Sequence, residues 1–161
     1  MNKRGIELSF KFIFSLILVA VIIVVGFFVI KTFLDRAEQM NFNLAYQDVQ
    51  DSVNSVWNGA SEASKVVEIT APRGVLKFCF IEGATCTGLD ECEEISYLIG
   101  NGDNFFFYPI DLAERYGTKS NWKIEHLTIE GDDCIEKQGN KFRLRITKEI
   151  DGGPKITIEN A

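Results

Sequence analysis

The sequence predicts an α+β chain: a single long N-terminal helix, first apolar and then amphipathic, followed by a small antiparallel β-sandwich or rolled-sheet head. Three observations predict it. Phe12 to Ile30 reads FIFSLILVAVIIVVGFFVI, nineteen residues with Ser15 as the one polar side chain. From Lys31 to Val56 there is neither Pro nor Gly, and apolar residues recur near helical spacing. From Lys65 onward the apolar period changes to two, and Gly, Pro and Asn punctuate the chain.

The apolar stretch comes first. Nineteen helical residues rise about 28 Å, close to the hydrocarbon thickness of a bilayer. A helix pairs every backbone N–H and C=O internally, so lipid tolerates it, whereas a core helix of a soluble domain would carry a polar stripe. Phe12–Ile30 therefore reads as a membrane span. Residues 1 to 36 hold five cations against two acids, a net +3, and the total of −6 leaves −9 for residues 37 to 161. Lys3, Arg4 and Lys11 lie before the span, which places the N-terminus in the cytoplasm and the head outside the cell membrane. A head of that charge repels phosphate backbones, so nucleic acid is not an expected partner, while membrane lipid is.

Lys3-Arg4-Gly5 followed at once by a hydrophobic helix resembles the leader of type IV pilin-like proteins, including archaeal class III signal peptides. The resemblance implies cleavage of Gly5–Ile6 by a prepilin-type peptidase, ahead of the helix, which stays on the subunit and packs in a filament core. It implies a structural subunit of a surface filament or its assembly machinery, forming homo- or hetero-oligomers through the N-terminal helix. The same residues also fit an uncleaved signal anchor whose Lys-Arg only sets topology and whose head is an extracytoplasmic binding module. Either way residues 1–5 are a basic leader, 6–30 a transmembrane helix, 31–64 an amphipathic stem and connector, and 65–161 the head. Glu7 and Lys11 stand four apart in the favourable order for a helix ion pair. Leu34, Ala37, Ala45, Val49, Val53 and Val56 carry the apolar face of the stem, and Asn58-Gly59 is its stop.

In the head, Val66–Thr70, Ala71-Pro72-Arg73-Gly74 and Val75–Ile81 read as strand, turn, strand. Leu76, Phe78 and Phe80 point one way, Lys77 and Cys79 the other. A loop from Glu82 to Glu94 holds Cys86 and Cys92. Short helical turns are expected within Glu93–Ile99 and Asp111–Tyr116, and Phe105–Tyr108 reads as a buried strand. Trp122–Glu130 reads as a strand with a bulge or two buried faces. Cys134–Lys137 and Lys141–Thr147 read as a hairpin over Gln138-Gly139-Asn140, and Asp151-Gly152-Gly153-Pro154 as a turn into Lys155–Glu159.

All four cysteines fall in the head, and an even count in an exported domain favours disulfides. Intervening lengths of six, five and forty-one residues lack the tight pairs of a zinc site. Cys86 and Cys92 share one short loop, which leaves Cys79 to reach Cys134. His126 is the one histidine, and it falls in the Trp122–Glu130 strand with a structural role. With no Gly-x-Ser-x-Gly elbow either, the sequence points to no enzyme and no cofactor. The acidic runs Asp90, Glu91, Glu93, Glu94 and Asp132-Asp133 lack a calcium-loop pattern and read as solvated faces.

Overall fold

The computed structural model describes residues 3–60, 62–100, 102–129, 131–149 and 155–160. For residues 3–9, 149 and 155–160 the description covers the backbone alone. The chain divides into two compact units, Met1–Ala37 and Glu38–Ala161. Helix α1 (Lys3–Trp57) runs from the first into the second. The fold is α+β, as the pattern predicts: one long apolar helix, then two small antiparallel sheets.

In the first unit every large apolar side chain from Phe10 to Leu34 is exposed, between 46% and 71%. By length and composition this helix can cross a membrane. Its one described internal hydroxyl bond, Thr32 Oγ1 donating to the Phe28 carbonyl at 2.9 Å, hides a polar group against the helix itself.

In the second unit α1 changes character. Phe42, Ala45, Val49, Val53 and Val56 are buried at spacings of three and four, so one face of the helix belongs to the head's core. The half expected as a stem is thus a wall of the head. Polar side chains tie it down at loops. The Gln50 side-chain amide takes the Glu125 N–H at 2.9 Å and donates to the Glu125 carbonyl at 3.4 Å, as a strand neighbour would. Tyr46 Oη donates to the Lys123 carbonyl, and Gln39 to that of Tyr116. The helix ends at Trp57, before Asn58-Gly59, where no basic residue stands in the last turn. Lys148 supplies one from a distant strand: its Nζ donates to the Trp57 carbonyl at 2.7 Å and the Gly59 carbonyl at 3.2 Å, satisfying acceptors that a helix end leaves open.

Seven strands follow: β1 (Ser64–Thr70), β2 (Lys77–Phe80), β3 (Phe105–Tyr108), β4 (Asn121–Trp122), β5 (Asp133–Glu136), β6 (Lys141–Glu149) and β7 (Lys155–Asn160), with short helices α2 (Cys92–Ile95) and α3 (Asp111–Arg115). They form a three-stranded sheet, β1-β6-β7, and a four-stranded sheet, β4-β3-β2-β5. The sheets meet where Phe78 of β2 stacks on Phe142 of β6, ring centroids 3.6 Å apart, and Phe42 of α1 sets its edge on Phe107 of β3 at 5.1 Å. The four-stranded sheet is buried on both sides. Phe78, Phe80, Phe105 and Phe107 face the main core, while Cys79 and Phe106 face a second cluster with Ile81, Ile95 and Ile110. That is why Phe105–Tyr108 is apolar without alternation.

Three sequence expectations are corrected. Neither β1 and β2 nor β5 and β6 form a hairpin, because each pair is split between the sheets: β1 pairs with β6, and β5 with β2. Pro72 and Gly74, the latter at φ +84°, carry the first crossing. Around Gly139, at φ +65°, only the Gln138–Lys141 bridge closes the second turn. Leu76 lies outside β2 and is half-exposed, while Cys79 does face away from Phe78 and Phe80, into a second buried cluster rather than into solvent. The Trp122–Glu130 strand stops at Trp122. The Asn104 side chain takes the Ile124 N–H at 2.7 Å and donates to its carbonyl at 3.0 Å, so the ladder's groups are claimed by a side chain. The chain then turns at His126, whose φ is +64°. Ile124 and Ile129 are still buried. The Asp151–Pro154 turn lies outside the described residues.

Candidate functional site

Two features stand out: the exposed apolar surface of α1 and the stapled face of the four-stranded sheet. On the helix, Lys11 is exposed. Gly5, Ile6 and Glu7 lie where only backbone is described, as part of α1, so the Glu7–Lys11 pair and the cleavage position fall outside the described side chains. Past Leu34, Met40 and Leu44 are also exposed, at 63% and 52%, four residues apart and off the face that Phe42 and Ala45 bury.

On the stapled face, Cys79 and Cys134 stand opposite each other in the β2–β5 ladder, with sulfurs 1.96 Å apart. The Cys86 and Cys92 sulfurs are 2.01 Å apart and close a small loop leading into α2. These are the two expected pairings. Asp132 lies beside the smaller one: a carboxylate oxygen and the Cys86 and Cys92 Sγ atoms fall within 4.8 Å of one another. A metal reading fails on chemistry, since both sulfurs are spent on a disulfide. Asp132 is occupied as well, accepting the Glu82 N–H at 2.7 Å and the Thr87 N–H at 2.5 Å, while Glu82 accepts the Gly131 N–H at 2.8 Å. The two carboxylates lash the 82–92 loop to the turn before β5.

The acidic run around the start of α2 needs a further correction. Glu91 is buried, not solvated, with its carboxylate 2.5 Å from Lys77 Nζ, which also reaches Glu136 at 3.2 Å. The hydrogen bond from Lys77 holds the Glu91 carboxyl below the usual carboxylate range, against the opposing effect of burial. The bonds to Glu91 and Glu136 raise the Lys77 ammonium correspondingly. Burial, then the nearby Glu94 and Glu91 charges, raises the Tyr108 phenol. No alternation or spacing signals this triad, because its members come from three elements.

His126 sits in a turn rather than a strand and stacks on Trp57, centroids 4.5 Å apart, with Lys148 Nζ 5.8 Å from the same ring. It packs against the end of α1. Two surface grooves stand out among the described residues of the head. One, of about 500 Å³, has a floor of Ile81, Ile99, Leu127 and Ile129 and carboxylates of Glu82 and Asp103 at its rim. The other, of about 520 Å³, runs beside exposed Tyr97 between Glu93, Glu94, Asp111 and Glu114. Among the described residues no nucleophile–base pair lines either one.

No family model, curated protein or solved structure matches this chain.

Proposed function

We propose that the chain is a structural subunit of a surface filament or of its assembly machinery, of the type IV pilin-like kind. The apolar half of α1 is held in the cell membrane before assembly, and packing of that helix against its copies or partner subunits is the mechanism of assembly. The head stands outside the cell, where an oxidising compartment keeps both disulfides closed.

The observation that carries the reading is the exposed apolar surface of α1 past the length lipid needs. A bilayer's hydrocarbon takes about twenty helical residues, and Phe12–Ile30 nearly supplies them. Met40 and Leu44 fall outside that allotment, on a helix whose other face is already inside the head. In sequence, Phe33, Ala37, Met40 and Leu44 recur at intervals of four, three and four, the spacing with which helices pack side by side. Water is a poor neighbour for such a row, and another helix is a good one. The basic leader Lys3-Arg4-Gly5 supports processing by a prepilin-type peptidase at Gly5–Ile6 and a cytoplasmic N-terminus before assembly.

N-terminal sequencing of the membrane-extracted and assembled protein tests it. The mature chain should begin at Ile6, and Gly5→Leu should block processing and assembly while leaving membrane insertion intact. A wild-type chain that begins at Met1 would refute processing. The second reading, an uncleaved anchor displaying the head as a binding module, is favoured by the groove over Ile81, Ile99, Leu127 and Ile129, whose volume suits a ligand. It would gain if that N-terminus were intact.

A further inference from the structure

We draw no further inference here: the strongest candidate, the surface groove lined by residues 81–84, 99–100, 102–104 and 127–129, combines an aliphatic floor with an acidic rim, but nothing in the structure shows what covers it.

Discussion

The two halves of α1 have similar local credentials and opposite fates. From Phe10 to Leu34 apolar side chains point in every direction and all are exposed. From Phe42 to Val56 the apolar side chains, Leu44 excepted, keep to one face, and that face is buried against two sheets. Both halves are helical for the same backbone reasons, so helix propensity does not distinguish them. The distribution of polar residues around the helix does. Asp48, Asp51 and Ser55 turn to water and let Val49, Val53 and Val56 meet Phe107, Phe142 and their neighbours. The first half has no such side and needs a surrounding that is apolar all round.

The contrast can be broken at matched positions. Phe42→Ala removes a fully buried ring and should lower the head's stability by about 3–5 kcal/mol, measured by thermal unfolding of the detergent-solubilised chain. Phe28→Ala, on an exposed ring of the same size, should leave that transition unchanged. Equal losses would mean that the two halves are not distinct environments.

The staples sharpen the comparison next, since both act on the head alone. Cys79–Cys134 closes a loop with a sequence separation of 55, and Cys86–Cys92 one of 6. Loop-closure entropy gives about 4 kcal/mol for the first and about 2 for the second, on a model in which the bond acts by restricting the unfolded chain. Cys79→Ser should therefore lower the melting temperature more than Cys86→Ser, each freeing only its own partner thiol. Peptide mapping under non-reducing conditions that linked Cys79 to Cys86 or Cys92 would overturn the pairing.

Glu91 gives the smaller effect. Glu91→Gln breaks a charged hydrogen bond to Lys77 in a mostly buried setting and should cost about 2 kcal/mol near neutral pH. The carboxyl's folded pKa is depressed, so its contribution is present above the unfolded pKa and is lost as pH falls through the folded one. The wild type should lose stability on acidification below the ordinary carboxylate range more steeply than the variant does. Parallel pH profiles would assign the acid sensitivity to other groups.

Much of this architecture is legible in the sequence. The unbroken run Lys31–Val56, the stop at Asn58-Gly59 and the change to a period of two all encode local geometry, which neighbouring residues determine together. Which strands pair is not legible. Alternation in Lys141–Thr147 tells which side chains turn inward, and it is equally satisfied by β5 or by β1 as the neighbour. The turn at Gln138-Gly139-Asn140 looks like a hairpin and is a crossing between sheets. His126 falls in a turn and not in the expected strand because Asn104, twenty residues from Ile124, ends the strand before it, and no local pattern marks that contact. Lys148 on the end of α1 and Glu91 against Lys77 are long-range partners, and no short-range pattern marks them. The cysteines were legible because a six-residue loop has few other partners to choose.

Helix-to-helix packing is the heart of the proposed assembly, and photo-cross-linking tests it most directly. A benzophenone amino acid placed singly at Met40, Leu44, Gln47 or Asp51 of the full chain, irradiated in its own membranes or filaments, reports what lies beside each position. The proposal expects subunit-to-subunit products at Met40 and Leu44, and few at Gln47 and Asp51, where the apolar row ends. Irradiation that yields no protein–protein product at Met40 or Leu44, with the chain inserted and the head folded, would contradict it.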